Sequence, residues 1–599
     1  MTAMIQLAKP EPFHVFDTTL RDGAQQEGLR LTVYDKMRIA SLLDELGVTF
    51  IEGGWPGANP SDTEFFETAS RELHLTNSTL VAFGATRRVG MTAATDPLTQ
   101  ALLDAETEVI CLVAKSHDRH VTDALRTTLE ENLEMIRDTV SYLRSAGRRV
   151  FVDCEHFFNG YLDNPAYAKL AVTTAAEAGA EVAVLCDTNG GMLPPVIHRI
   201  VEDVARLGVP LGIHCHNDTG CAVANTLAGV DAGAMHVQGT INGYGERTGN
   251  ADLTTLIADL KLKYGWDVVS DEALKDLTRI SHSVSEIANQ SPVGRQPYVG
   301  VSAFAHKAGL HASAIKVDAN LYQHIDPDLV GNGMRMLISD MAGRANIQIK
   351  AEQLGHDLSD TATASRLAEK VKEREAAGYS YEAADASFDL LIRSELAEQR
   401  SKQSLTHAPG DGSQSQDVEL AEQRGNQSLT HAPGVGSQSQ DVELAEQRGN
   451  QSLTHAPGDG SPSQDVELGQ DLTPFIIAAW RVFTDQLEAS QAVVRVGFAD
   501  EEAKPYVGEG NGPVNALDQA LRQALIPRYP QLAKAELTDY RVRLLDDGHG
   551  TDATTRVLID TRLGPKTWTT VGIGENVIEA SWEALVDAYT YALVVVSPS

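Results

Sequence analysis

The chain has 599 residues and a formal net charge of −34, with 42% hydrophobic and 22% charged residues. One core cannot organise that length, so several domains are expected. The acidic balance disfavours a nucleic-acid or anionic-membrane partner, and no apolar run reaches the about 18 residues of a membrane span.

Met1–Pro12 lacks the apolar centre of a secretory signal, and the five cysteines form no paired framework. A cytoplasmic protein with reduced, buried thiols is therefore expected. From residue 13 onward, short apolar runs alternate with longer amphipathic segments. The runs are His14–Phe16, Phe50–Gly53, Leu80–Phe83, Val109–Ala114, Val150–Cys154, Val182–Cys186, Leu211–His216 and His236–Ile241. Each is short and apolar on both faces, as parallel strands are. Between them lie helical patterns such as Val33–Leu46, closed by Gly47, and Pro165–Ala178, closed by Gly179. Eight strand–helix units predict an α/β fold, a (β/α)8 TIM barrel over residues 1–270. A doubly wound open sheet is the alternative, but it would not gather the polar motifs after strands 1, 5, 6, 7 and 8 at one mouth.

Residues 271–395 read as helical linker subdomains, broken at Pro292-Val293-Gly294 and Pro297. Within them, Ser302–His311 places two histidines beside an apolar turn. Residues 396–467 are three tandem copies of a 24-residue repeat, rich in Gln, Ser, Gly and Asp and free of aromatics. Such a segment cannot bury enough surface to offset its ordering entropy, so a disordered insert is expected. Residues 468–599 read as a C-terminal α+β domain. Its strands are Val493–Phe498, Asp539–Leu545, Thr555–Thr561 and Thr567–Ile573, and its helices Pro513–Leu525 and Glu579–Leu593.

Three stretches carry chemistry. Leu20-Arg21-Asp22-Gly23-Ala24-Gln25 follows the first strand, at the end of a barrel where active sites sit. In His214-Cys215-His216, strand alternation points both imidazoles to one face. Asp22 adds a hard anionic ligand, and the side-chain oxygen of Asn250, in Gly245–Asn250, completes a mixed N/O set. Mg²⁺, Mn²⁺ and Zn²⁺ all suit it. A metal so held can chelate a 2-oxo acid and act as a Lewis acid on its ketone. Arg21 stays protonated and suits a developing oxyanion. Glu52, Glu155 and Thr188 end strands 2, 5 and 6 and are expected at the mouth, orienting substrate. The glycines Gly243, Gly245 and Gly249 alone do not define a phosphate cradle.

The run Leu20–Gln25 followed by Lys36, with Leu211-X-X-His214-Cys215-His216-Asn217-Asp218-X-Gly220, resembles the acyl-CoA-dependent aldol synthases. These are the 2-isopropylmalate, homocitrate and citramalate synthases, which share a metal-bearing barrel with HMG-CoA lyase. The resemblance implies Asp22, His214, His216 and Asn250 as metal ligands, with Arg21 as electrophilic catalyst. It implies Glu155 and His311 in a proton relay, His311 coming from the partner of a homodimer, and Thr188 on the substrate carboxylate. Longer stretches resemble the citramalate branch: Ile51–Pro60, Glu155–Tyr161 and Tyr379–Phe388. Where 2-isopropylmalate synthases carry a relay tyrosine after a Val-Gly, this chain reads Val330-Gly331-Asn332-Gly333-Met334. Gly510–Leu517 and Val571–Asn576 are similar to the family's allosteric domain, which binds a branched-chain amino acid. The resemblance implies condensation of acetyl-CoA with pyruvate to citramalate and CoA. Isoleucine is the expected effector, because citramalate opens a route to it. The rival within the family is 2-isopropylmalate synthesis, and outside it carbon–carbon lyase chemistry.

Overall fold

The computed structural model describes residues 9–339, 341–406, 474–484, 489–499, 501–545 and 553–596. It forms two compact units, Met1–Met336 and Leu337–Ser599. In the first, eight parallel strands close into a barrel: β1 (His14–Asp17), β2 (Phe50–Gly54), β3 (Thr79–Ala85), β4 (Val109–Lys115), β5 (Arg149–Glu155), β6 (Val182–Asp187), β7 (Leu211–Cys215) and β8 (His236–Gly239). Closure is made by β1 on β8, with His14 opposite His236 and Asp17 opposite Gly239. Around them run α1 (Val33–Leu46), α2 (Pro60–Glu72), α3 (Pro97–Asp104), α4 (Leu129–Ser145), α5 (Phe157–Asp163), α6 (Pro165–Glu177), α7 (Pro194–Ala205), α8 (Ala222–Asp231) and α9 (Leu253–Leu262). The barrel expected from the alternating pattern is the one the chain forms.

Local chemistry explains the borders. In α1 the Thr32 hydroxyl accepts from Asp35 N while the Asp35 carboxylate reaches back to Thr32 N, a reciprocal cap. Gly47 then stops the helix at φ 85°, a conformation that costs glycine little. Inside the barrel, Phe16, Phe50 and Phe151 pack with His14 and His236, ring centroids 5.0 to 6.5 Å apart. This aromatic plug lies at the early residues of the strands. Polar groups on the strands' late residues gather at the other end.

After the barrel, the first unit adds α10 (Asp271–Lys275), α11 (Leu277–Ile287), α12 (Gly309–Ile315) and a two-stranded pairing of β9 (Ala305–His306) with β10 (Arg335–Met336). The second unit holds α13 (Arg344–Gln353), α14 (Thr361–Ala376) and α15 (Asp385–Thr406). The helical subdomains expected over 271–395 are thus divided between the two units.

Helix α15 also corrects the expected start of the insert. Leu396–Thr406 opens the first repeat and is helical, because no glycine or proline interrupts it before Pro409. The remaining repeat residues, 407–467, lie outside the described residues. Their composition still supports an expected outcome: deleting 407–467 should leave the catalytic rate within a few-fold and the Tm unchanged. A collapsed rate or a large fall in Tm would mean the repeats contribute to the fold.

Beyond the repeats come two copies of one arrangement, three antiparallel strands and a helix. The first is β11 (Ile476–Phe483), β12 (Ser490–Phe498), β13 (Glu501–Gly510) and α16 (Pro513–Leu525). The second is β14 (Glu536–Leu544), β15 (Thr555–Leu563), β16 (Lys566–Gly574) and α17 (Val577–Tyr591). Gly508 and Gly572 hold matching places: a Cβ on the first would strike the backbone of Ala516 and Ala520, and on the second that of Ala580 and Ala584. Each helix therefore packs backbone-close on its sheet. Two of the six strands, β11 and β13, were not among those expected from the sequence, although Ile476–Phe483 is rich in β-branched and aromatic residues. Both are edge strands, largely exposed, and β13 contains Pro505, which only an edge tolerates. Helix α15 docks on the second copy, where Ser387 Oγ donates to Asp587 at 2.7 Å, and in the segment before it Tyr379 Oη donates to Glu583 at 2.5 Å.

Candidate active site

Strand β7 delivers His214 and, one residue past its end, His216; the turn after β1 delivers Asp22. Their side-chain atoms converge. His214 Nε2 lies 3.2 Å from His216 Nε2 and 3.3 Å from Asp22 Oδ2, and His216 Nε2 lies 3.8 Å from that same oxygen. Donors at about 2.1 Å from one divalent ion stand about 3.0 Å apart in an octahedron and about 3.4 Å apart in a tetrahedron. Two of the three distances fall in that range and the third is somewhat longer, so the group could hold a metal ion. All three residues are buried.

Asn250 belongs to the same cluster through the backbone. It forms a bridge with His216, flanked by Asn217 N–H to Gly249 O at 2.9 Å and Ala251 N–H to Cys215 O at 3.0 Å. Its Nδ2 donates to Tyr244 O at 3.1 Å, while Oδ1 is buried with no partner among the described residues. A buried acceptor without a donor is costly, and a cation satisfies it. The loop glycines serve this geometry rather than a phosphate. Gly245 (φ 149°) and Gly249 (φ 87°) leave no room for a Cβ, the first against the Asn250 amide and the second against Gly243 O.

Charge points the same way. Burial alone would raise the Asp22 carboxyl, but Arg21 beside it, helped by His214, holds it well below the usual carboxylate range. Burial, with His214 close by, brings His216 down to about 4, so its ring is neutral near pH 7 and able to ligate. Glu52 and Asp153 are also buried here, and burial pushes both carboxyls up, Glu52 to about 7. Three carboxyl groups thus crowd one guanidinium, and a divalent cation would favour their ionised forms. A second trio, Glu52, Cys111 and Asp153, has ligand-like spacing too, but Arg21 already supplies the cation to Glu52.

Arg21 is fixed on three sides. Its Nε donates to Glu52 Oε2 at 2.7 Å, Nη1 lies 3.4 Å from Asp22 Oδ2, and the guanidinium lies 3.9 Å from the Phe83 ring centroid. Glu52 is wholly buried; its Oε2 accepts from Arg21, while its Oε1 has no partner among the described residues. Thr188 Oγ1 accepts from His156 N–H at 2.9 Å, which leaves its own proton free for a ligand. Glu155 ends β5 half-exposed, its carboxylate paired with Lys115. His156 follows it at φ 55°, a backbone region rare for side-chain-bearing residues and found at functional sites. His311 lies on α12, its ring stacked on Tyr322 with centroids 4.2 Å apart. Among the described residues its ring contacts are Tyr322 and His306, and not the cluster residues.

Three functional candidates escaped the sequence reading: Lys115, Asp153 and Gln238. Asp153 had a signal, being two residues before Glu155 on one strand and hence on the same face. Gln238, two residues after His236, had the same one.

Barrel, cluster and C-terminal domain together define a class. Residues 12–284 match the HMGL-like family, 298–378 the homocitrate synthase post-HMGL domain-like family, and 464–593 the LeuA allosteric (dimerisation) domain. An (R)-citramalate synthase of Streptomyces coelicolor is 54% identical, covering 99% of this chain and 98% of that protein. One from Synechocystis is 43% identical over 97% of this chain and 96% of that protein. A 2-isopropylmalate synthase of Methanocaldococcus jannaschii is 32% identical over 63% of this chain and 70% of that protein. The chain belongs to the (R)-citramalate synthase family. Among the described residues no helix is long and apolar enough to cross a membrane.

Proposed function

We propose that this chain is an (R)-citramalate synthase, condensing acetyl-CoA with pyruvate. The acetyl methyl gives up a proton, its carbon bonds to the keto carbon, and the keto oxygen gains a proton. Water then cleaves the thioester and releases CoA. The reading is supported by full-length similarity to (R)-citramalate synthases in a chain whose Asp22, His214 and His216 donor atoms converge. A divalent cation held by Asp22, His214, His216 and Asn250 supplies Lewis-acid polarisation of the keto oxygen when bound.

The rest falls to the side chains. Arg21, with Nε spent on Glu52, turns its Nη donors to the oxygen where charge develops. Thr188 donates its hydroxyl to the pyruvate carboxylate. Glu155, held by Lys115, belongs to the proton relay, completed by His311 from a second copy. Thiol release from acetyl-CoA across a panel of 2-oxo acids tests the reading. Pyruvate should give the highest kcat/KM. Preference for 2-oxoisovalerate would replace this function with 2-isopropylmalate synthesis.

The C-terminal domain is allosteric by family, and we assign isoleucine as its effector. Citramalate leads chemically toward isoleucine, and an end-product check fits an appended domain. The Gly510–Gly512 turn at the start of α16 offers backbone amides to an amino acid. A Cβ at Gly512 would meet nothing within 4 Å, and its φ of −173° suits any residue. Gly512→Val should therefore fold normally and lose inhibition. Substitution is a cleaner test than truncation, because α15 rests on β16 and α17. A coupling of about 1–3 kcal/mol gives a several-fold to hundredfold change in affinity. Inhibition of the parent by leucine and not isoleucine would overturn the assignment.

A further inference from the structure

Beneath the ligand cluster runs a chain of buried polar groups to which the proposed reaction gives no part. His214 Nδ1 lies 2.8 Å from Gln238 Oε1, and Gln238 Nε2 donates to Asp153 Oδ1 at 2.9 Å. The three residues come from β7, β8 and β5, and are 4%, 0% and 4% exposed, so no solvent competes for these bonds. The chain has a direction. A carboxylate only accepts hydrogen bonds, so Asp153 fixes the Gln238 amide with its nitrogen toward Asp153. The amide oxygen is then turned to His214, where it too can only accept. Nδ1 of His214 must therefore carry the proton, which leaves the Nε2 lone pair facing Asp22 and His216.

We propose that Asp153, which lies outside the Asp22–His214–His216 cluster, selects the metal-binding tautomer of His214 through Gln238. Asp153 and Gln238 are positioning residues, and their contribution is to metal affinity. This rests on the reading of Asp22, His214, His216 and Asn250 as ligands. Replacing Asp153 by asparagine keeps size and shape but removes the direction. An amide can present either its oxygen or its nitrogen, so Gln238 can flip and stabilise the wrong tautomer.

The test is Mn²⁺ binding to the metal-stripped full-length enzyme, read from the free-ion electron paramagnetic resonance signal. Asp153→Asn should weaken binding about tenfold to a hundredfold, the usual effect of losing an outer partner of a ligating histidine. The double variant Asp153→Asn with Gln238→Glu rebuilds the direction with the partners exchanged. The introduced asparagine amide would donate to the introduced carboxylate, which in turn accepts from Nδ1 of His214. It should recover most of the lost affinity, which a merely structural role would not predict. Should Asp153→Asn fail to fold, Gln238→Met is read in the same way for the weakening. Parental affinity in Asp153→Asn, or a double variant no better than the single one, overturns the tautomer role. His214→Ala separates the two readings. If it binds Mn²⁺ as tightly as the parent, the ligand assignment itself fails and this inference falls with it.

Discussion

His214→Ala should abolish turnover and remove metal binding while leaving a folded barrel. The imidazole supplies one of three donor atoms that lie within 3.8 Å of one another. Losing it leaves Asp22, His216 and the neutral Asn250 oxygen, a set too weak to hold an ion against water. The fold survives because the core between strands and helices, built on residues such as Ile39, Ile136, Ile200 and Leu256, lies away from the mouth. Metal-linked stability gives a second readout. A ligand that binds only the native state, at a hundred times its Kd, adds about 2.7 kcal/mol to stability. The parent's Tm should accordingly rise when Mn²⁺ is added to stripped enzyme, and the variant's should not. A variant whose Tm rises with the metal as the parent's does would place the ion elsewhere.

How much of this was legible in the sequence depended on distance along the chain. His214 and His216 declare themselves because a strand repeats every two residues and both ligands sit in one run. The eight strands were readable because strands buried on both faces become near-continuous apolar runs. For Glu52 the end of a strand marks the mouth but does not say what the side chain meets there, and its 2.7 Å bond to Arg21 joins residues 31 apart that no local pattern links. Asp153 and Gln238 stand 85 residues apart on strands that do not pair, and no local pattern joins them. In the C-terminal domain β12 was readable from its buried alternation and the exposed edge β14 from its composition, whereas β13, with Pro505 and four charged residues, has little strand character of its own. The repeat copies were plain as a sequence, yet the end of α15 inside the first copy was not. A helix anchored in a folded unit continues into any segment that lacks a breaker.

Arg21→Lys should lower kcat by about a hundredfold to a thousandfold, the usual cost of one oxyanion donor. It should leave Mn²⁺ affinity within a few-fold of the parent, because Arg21 is beside the ligand set and not in it. Charge is conserved, so the loss comes from geometry. In the proposed role the guanidinium does two things at once: Nε holds Glu52 at 2.7 Å with Nη1 3.4 Å from Asp22, and Nη2 is offered to an oxygen on the reacting carbon. A lysine ammonium is a single point on a flexible stem, and it can serve Glu52 or the oxyanion but not both. Pairing with Glu52 is the stronger pull, because an unpartnered carboxylate in that fully buried place costs more than an absent substrate contact. The stack of the guanidinium on Phe83, at 3.9 Å, is lost as well. Since ground-state pyruvate carries no charge on its keto oxygen, KM for pyruvate should change far less than kcat. Glu52→Gln offers the complementary case: Arg21 keeps its charge and shape but loses its anchor, so kcat should fall by a smaller factor. If Arg21→Lys instead kept kcat within about tenfold while KM rose sharply, Arg21 would be a ground-state binding residue, and transition-state stabilisation would have to be sought in Thr188 or the Lys115–Glu155 pair.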